Sequence, residues 1–256
     1  MKKKSFAIIG NPIHHSLSPI LHNYWFNKYN IEANYNLINL DEKNLGEVIS
    51  KLRKKEIHGI NVTLPYKQKV IPFVDRLVND AENTRSVNTI FLDENNVLIG
   101  ENTDVFGLQA GYLKKISDPE NKKALIIGAG GVSPSVIFSL QKSKIKSISI
   151  TNRTHEKSIF LKKNFNFLNI LYWKELKNEI VNFDIIINAT SLGLKNGADF
   201  EFNFENVKNN LIFIDTIYNP LETKTLKFLK NNKYKTFNGL DMFVYQGQKS
   251  FYLWNK

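Results

Sequence analysis

Cysteine is absent from this chain of 256 residues. That one absence excludes disulfides, thiolate zinc sites, iron–sulfur clusters and a thiol nucleophile, and it is compatible with a reducing compartment. Long apolar runs are missing too: no stretch approaches the roughly 18 consecutive apolar residues of a membrane span. The basic start, Met1-Lys2-Lys3-Lys4, precedes an apolar run at residues 6–10 too short for the core of a signal peptide. A cytoplasmic chain with no membrane contact is expected. Arginine is scarce, with Arg53, Arg76, Arg85 and Arg153 standing against 31 lysines. The formal charge is +11, which invites a nucleic-acid reading. A nucleic-acid binder concentrates its basic residues on one surface and relies on arginine for two-pronged contacts. Here lysine is scattered along presumed polar helix faces, so no nucleic-acid partner is expected. His14, His15, His22, His58 and His155 show no ligand spacing with acidic partners, and no metal site is expected.

What the chain does have is alternation. At roughly 100–200 residues per domain, it makes one large domain or two of moderate size, with core enough to need no covalent staple. Up to residue 104, strands are expected at 5–10, 34–40 and 58–62, and helices from Ser18-Pro19 onward and at 43–54. Runs at 87–93 and 97–100 flank Glu94-Asn95-Asn96 and read as a hairpin. Residues 105–115 read as a linking helix. Beyond it, the apolar runs 123–127, 147–151, 183–188 and 211–215 read as strands. They alternate with helices, one carrying Val136, Ile137, Phe138 and Leu140 and another at 156–163. Such a βαβ series builds a parallel sheet covered on both faces. Residues 239–254 are helical and are expected to rejoin the first part of the chain. The expected class is therefore α/β. A discontinuous mixed α/β domain, residues 1–104 with 238–256, is interrupted by a parallel-sheet domain, residues 105–237.

The turn Gly128-Ala129-Gly130-Gly131 follows an apolar strand and opens a helix. Glycine there permits a tight turn and close approach of backbone to a pyrophosphate at the helix N-terminus. An ordinary strand-to-helix turn has the same outline, and the full G-x-G-x-x-G fingerprint is lacking because position 133 is Ser133. The next strand decides more. It ends Thr151-Asn152-Arg153-Thr154, where an acidic residue would receive the ribose 2′-hydroxyl of NAD. Arg153 instead suits the 2′-phosphate of NADP.

In the first half, Ser16 and Ser18 place two hydroxyls at a helix start, a suitable place for a carboxylate, although Ser18 taken alone reads as an N-cap. Lys67, in Asn61-Val62-Thr63-Leu64-Pro65-Tyr66-Lys67, and Asp104, in Asn102-Thr103-Asp104, are ordinary surface residues taken singly. Both lie at strand exits, where α/β domains form ligand crevices, and a Lys–Asp pair there can move a proton beside a cofactor that moves hydride.

These blocks, in this order and over nearly the whole chain, resemble the shikimate dehydrogenase family. The resemblance also takes in Val87-Asn88-Thr89, Asn188-Ala189-Thr190-Ser191-Leu192-Gly193, Asp215-Thr216-Ile217-Tyr218-Asn219-Pro220 and residues 239–246. It implies a Rossmann-like NADP domain and reversible NADPH-dependent reduction of 3-dehydroshikimate to shikimate, on the route to chorismate and the aromatic amino acids. A quinate/shikimate dehydrogenase, or a non-catalytic nucleotide-binding paralogue, are the alternatives. It implies that Ser16 and Ser18 hold the substrate carboxylate with Tyr218 nearby. Thr63, Lys67, Asn88, Asp104 and Gln246 would meet the ring hydroxyls and the reacting oxygen, with Lys67 and Asp104 as the acid–base pair. Gly128, Ala129, Gly130 and Gly131 would cradle the pyrophosphate. Asn152, Arg153 and Thr154 would take the 2′-phosphate, Thr190 and Ser191 would line the cofactor cleft, and Gly239 and Met242 would lie near the nicotinamide. The partners implied are small molecules, with the chain a monomer or a homodimer. The sequence departs from the family pattern at Thr84-Arg85-Ser86, where Gly-Ala is usual, and at Val132-Ser133-Pro134, where a small residue and Arg are usual.

Overall fold

The computed structural model describes residues 3–194, 197–202 and 204–256. The chain forms two compact units, one built from the residues up to Phe106 together with Val244–Lys256, the other from Gly107–Phe243.

The first unit runs β1 (Lys4–Gly10), α1 (Ser18–Lys28), β2 (Ala33–Asn39), α2 (Leu45–Arg53), β3 (Gly59–Val62), β4 (Arg76–Leu77), α3 (Asp80–Thr84), β5 (Thr89–Leu92) and β6 (Leu98–Glu101). The chain then enters α4 (Asp104–Gly111). Its sheet has the order β2-β1-β3-β5-β6-β4, parallel across β2-β1-β3 and antiparallel from β3 through β5 to β6. The hairpin between β5 and β6 turns where Asp93 accepts from the backbone N–H groups of Asn95 and Val97, with Asn96 left-handed at φ 60°. A short polar side chain tolerates that conformation, which is why an Asp–Asn turn closes here. Helix α2 buries Leu45, Val48, Ile49 and Leu52, spaced at three and four residues, against Ile60, Val62 and Ile90 of the sheet. On α1, Asn23 donates to the Tyr35 carbonyl and accepts from the Tyr35 N–H, so a side chain occupies part of the free edge of β2.

The second unit continues β7 (Lys123–Ile127), α5 (Ser133–Lys142), β8 (Ser147–Thr151), α6 (His155–Asn164), β9 (Asn169–Ile170), α7 (Leu176–Glu179), β10 (Ile185–Asn188), β11 (Ile212–Asp215), α8 (Lys224–Asn231) and β12 (Lys235–Phe237). Helix α9 (Leu240–Trp254) then carries the chain back into the first unit. All pairs of this sheet are parallel, in the order β12-β11-β10-β7-β8-β9. Numbered within the unit, that is the 3-2-1-4-5-6 order of a Rossmann-like fold, with its switch point between β7 and β10. Strand β7 is central, and Ala124, Leu125, Ile126 and Ile127 are all buried. Ile126 packs with Val136, Ile137 and Leu140 of α5, while Leu125 and Ile127 pack with Leu226 and Leu229 of α8. A strand buried on both faces reads as a continuous apolar run, and the sequence shows such a run.

The expected strands appear, but the linking helix is shorter than expected. It stops at Gly111, and residues 113–115 form a single 3-10 turn. Residues 42–44 likewise form a 3-10 turn ahead of α2. No helix among the described residues is long and apolar enough to cross a membrane.

Candidate active site and nucleotide turn

In the first unit Lys67 follows β3 and Asp104 follows β6, where α4 begins. The Lys67 carbonyl accepts from the Val87 N–H at 2.8 Å, which fixes the backbone of that loop against the start of the next segment. Lys67 Nζ then reaches Asp104 Oδ2 at 2.5 Å, with side-chain exposures of 11% and 6%. Burying such a pair costs desolvation on both sides and is tolerated when the remaining lone pairs are satisfied. They are: Asn88 Nδ2 donates to Asp104 Oδ1 at 2.9 Å. The Asn88 amide has no choice of orientation, because its Oδ1 accepts from the Thr103 N–H at 2.7 Å. Gln246 Oε1, on α9, accepts from the same Asn88 amide at 3.4 Å.

A shell of neutral groups supports this cluster. Ser250 Oγ, also on α9, lies 2.7 Å from Thr89 Oγ1 and 3.2 Å from Thr103 Oγ1, and accepts from Asn61 Nδ2 at 3.0 Å. Tyr35 closes the chain by donating its hydroxyl to Asn61 Oδ1 at 2.7 Å. Ser250, Thr89 and Thr103 were not singled out from the sequence. The only signal for Thr89 and Thr103 was adjacency to Asn88 and Asp104 in the motif blocks, and Ser250 lies outside those blocks. The arrangement holds an ammonium against a carboxylate in a water-poor place and keeps both aimed by neutral hydrogen bonds, which is what a proton donor–acceptor pair requires.

The loop carrying Ser16 is tied to the loop carrying Thr63 and Lys67. The Thr63 N–H donates to the Ile9 carbonyl at 3.0 Å, and the Asn11 N–H donates to the Leu64 carbonyl at 3.0 Å. The N-cap reading of Ser18 is corrected here. Leu17 holds the cap position, Ser18 is the first helical residue, and the Leu17 side chain makes no cap bond. Ser16 Oγ serves instead, accepting from the Ser18 N–H at 3.3 Å and donating to Ser18 Oγ at 3.2 Å. With Pro19 next in the first turn and lacking an N–H, fewer amides need a cap. The two hydroxyls are left side by side.

In the second unit the glycine turn leaves β7 with Gly128 at φ +114°, and a Cβ there would stand 2.7 Å from the Ala189 carbonyl oxygen. Only glycine meets both demands. Side chains then brace the turn. Asn152 Oδ1 accepts from the Ala129 N–H at 3.1 Å, while Asn152 Nδ2 donates to the Thr154 carbonyl at 2.8 Å. Ser133 Oγ accepts from the Gly130 N–H and donates to the Gly128 carbonyl, both at 2.9 Å. The serine that breaks the glycine fingerprint is thus a clasp across the turn. Among the described residues, the Gly131 and Val132 amides have no partner and remain for a ligand. Arg153 and Thr154 are exposed just beyond β8, and Arg153 pairs with no carboxylate among the described residues. Free amides at the start of α5 and an unpaired guanidinium beside it fit a dinucleotide that carries an extra phosphate.

The loop after β10 holds Thr190, whose hydroxyl donates to Asn188 Oδ1 at 2.7 Å, and the exposed Ser191. Gly239 lies so close to the Thr216 carbonyl that no side chain fits. Met242 is buried in the core of this unit, its N–H donating to the Tyr112 hydroxyl at 3.0 Å. Tyr218 stacks on Phe243 with ring centroids 4.5 Å apart. The geometry thus gathers Lys67, Asn88, Asp104 and Gln246 into one cluster, and Gly128, Ala129, Gly130, Gly131, Asn152, Arg153 and Thr154 into another.

Known proteins align with both regions. Residues 8–90 match the family model described as the shikimate dehydrogenase substrate binding domain, and residues 112–233 match the one described as shikimate / quinate 5-dehydrogenase. The chain is 47% identical over 254 residues to the NADP(+) shikimate dehydrogenase of Pelagibacter ubique, covering 99% of this chain and 94% of that one. The crystal structure of shikimate dehydrogenase from Aquifex aeolicus matches with a TM-score of 0.91 at 32% identity, over 99% of this chain and 93% of that one. A shikimate dehydrogenase solved in complex with NADP+ matches with a TM-score of 0.90 at 35% identity, over 99% and 90%.

Proposed function

The chain belongs to the shikimate dehydrogenase family, and from that premise we propose how its residues carry the reaction. It is an NADP-dependent oxidoreductase of the shikimate pathway that acts on a CH–OH group, interconverting shikimate and 3-dehydroshikimate. The bound cofactor supplies or accepts hydride at the ring carbon that bears the reacting oxygen. In the reducing direction Lys67 Nζ hydrogen-bonds that oxygen, stabilises the negative charge developing on it and donates the proton. In the oxidising direction it takes the hydroxyl proton back. Asp104 keeps the lysine side chain aimed and offsets the cost of its burial, and Asn88 keeps Asp104 aimed. Thr63, Asn88, Asp104 and Gln246 meet the ring hydroxyls. Ser16 and Ser18 take the substrate carboxylate on their paired hydroxyls, with Tyr218 as a further contact.

The first unit takes the substrate and the second takes the dinucleotide. Gly128, Ala129, Gly130 and Gly131 form the pyrophosphate turn, in which the Gly131 and Val132 amides donate to the phosphates. Arg153 and Thr154 receive the 2′-phosphate while Asn152 braces the turn. Thr190, Ser191, Gly239 and Met242 form the nicotinamide side.

The observation that carries this reading is the buried Lys67–Asp104 contact at 2.5 Å with Asn88 on its far oxygen. Steady-state assays of shikimate and quinate oxidation with NADP and with NAD test the substrate and cofactor, and activity is expected on shikimate with NADP. For the mechanism, Lys67→Ala is expected to lower kcat by roughly 10²–10⁴-fold, the usual worth of general acid–base help. Near-normal turnover in that variant, with binding of both ligands intact, overturns the assignment.

A further inference from the structure

A second buried carboxylate stands at the end of β11. Asp215 has no solvent exposure, and among the described residues no lysine or arginine pairs with it. It is surrounded by neutral donors. Asn188 Nδ2 reaches Asp215 Oδ1 at 3.1 Å, the Ile217 N–H reaches the same oxygen at 3.1 Å, and the Thr223 hydroxyl donates to Oδ2 at 2.9 Å. Burial without a counter-ion pushes its pKa up to about 6, although these three donors pull it the other way.

The partner that matters is Asn188. A carboxylate only accepts hydrogen bonds, so it obliges Asn188 to face it with Nδ2. The other Nδ2 hydrogen then points at the Leu192 carbonyl, 3.0 Å away. Oδ1 is left facing the Thr190 N–H at 3.0 Å and the Thr190 hydroxyl at 2.7 Å. The Leu192 N–H donates in turn to Thr190 Oγ1 at 2.9 Å. Every polar atom of the Asn188 side chain is thereby engaged: Asp215 and the Leu192 carbonyl take Nδ2, the Thr190 N–H takes Oδ1, and Asp215 is the one of these partners that lies outside the loop. Without the carboxylate the amide keeps its partners within the loop and loses the bond that ties it to the end of β11.

We propose that Asp215 is a positioning residue for the cofactor: acting through the Asn188 amide, its carboxylate holds residues 188–193 in the shape in which Thr190 and Ser191 receive NADP. The inference rests on the reading that Thr190 and Ser191 line the cofactor site. Asp215 itself is buried beneath the loop and touches neither ligand.

The test is a double-mutant cycle on the full-length protein, read as the NADP dissociation constant by isothermal titration calorimetry. Asp215→Ala and Asn188→Ala are each expected to weaken NADP binding by about tenfold, and the double variant by no more than either alone. Asp215→Asn, which presents an oxygen to Asn188 and Ile217 and an amide to Thr223, is expected to bind within about threefold of the parent. A purely structural role predicts losses that add and no rescue by asparagine. Additive losses, or a folded Asp215→Ala that binds NADP as the parent does, overturn the proposal. Should Asp215→Ala fail to fold, Asp215→Ser takes its place in the cycle. Ser191→Asp separates the underlying reading. It puts a negative charge where a dinucleotide should lie, and unchanged NADP binding there removes the loop from the cofactor site and the proposal with it.

Discussion

Two buried carboxylates, Asp104 in the first unit and Asp215 in the second, are held in opposite ways. In the first, Asp104 and Lys67 meet as an ion pair, and the remaining carboxylate oxygen is covered by Asn88. In the second, the carboxylate at the end of β11 has no cation beside it among the described residues. Asp215 is buried among neutral donors, and Arg153 stands exposed beyond β8 with no carboxylate partner among the described residues. A paired ammonium and carboxylate place a proton donor and an acceptor in direct hydrogen-bond contact, the geometry that proton transfer needs. An unpaired buried carboxylate fixes the orientation of its donors, and an unpaired surface cation waits for an anion from outside. On the function proposed above, proton transfer belongs to the first unit, and shaping and charging a phosphate site to the second.

The sharpest way to break this contrast is to neutralise each carboxylate in turn without changing its shape. Asp104→Asn leaves a buried ammonium facing an amide and removes the partner that aims it. We expect kcat to fall by roughly 10²–10⁴-fold, with the NADP dissociation constant unchanged. Asp215→Asn should keep kcat within about threefold, since its hydrogen bonds survive the exchange. Stopped-flow single turnovers measure both. Equal losses in the two variants would erase the distinction between a reacting carboxylate and a positioning one.

Much of this contrast was hidden in the sequence, and the reason is physical. The strands of the second unit were legible because burial on both faces demands continuous apolar runs such as residues 123–127. The edge strands β4, β9 and β12, two or three residues long, are too short to show any period. Helix α8 went unread despite Leu226 and Leu229, because its eight residues contain only three apolar ones and sit among lysines and asparagines. At the sites, Lys67, Asp104, Arg153 and the glycine turn were visible as motifs. Of the groups that aim them, Asn88 and Asn152 were singled out, whereas Thr103, Ser133 and Asp215 were not. Ser133 was read as a flaw in a fingerprint, and it proves to be the clasp of the turn. Asp215 was visible only as the first residue of a motif block, since its key partner Asn188 lies 27 residues away. Such hydrogen bonds are set by strand order, which spacing along the chain does not reveal.

A smaller effect follows from the buried state of Asp215. Its pKa in the folded chain is about 6, above the ordinary carboxylate value of 3.8, so between those values the folded form holds more protons than the unfolded one. The favourable contribution is therefore complete below about pH 4 and is lost as pH rises through 6. The separation corresponds to about 3 kcal/mol. Asp215→Asn removes the ionisation. Its stability relative to the parent should be greatest above pH 7 and should fall by up to that amount as pH approaches 4, read from urea unfolding at a series of pH values. Comparing the two proteins at each pH cancels the opposite trend from His22, whose pKa burial lowers to about 3. Parallel curves would mean that Asp215 is already satisfied as an ion, and the contrast with Asp104 would narrow.

An effect no larger than that is expected at Arg153, because an exposed cation works through solvent and salt. Arg153→Gln keeps a hydrogen-bonding side chain and removes the charge. It should weaken NADP binding by roughly 1.5–3 kcal/mol, the range for a charge-assisted hydrogen bond. NAD, which lacks the 2′-phosphate, should bind the variant and the parent alike. The parent's preference for NADP should also shrink as salt is raised, whereas the Lys67–Asp104 contact, being buried, is screened far less. Titrating NADP and NAD at low and high salt therefore probes the comparison from its exposed side. If Arg153→Gln weakens both dinucleotides equally, the arginine supports the turn as a whole, and the separated charges of the second unit are not divided between anion capture and positioning.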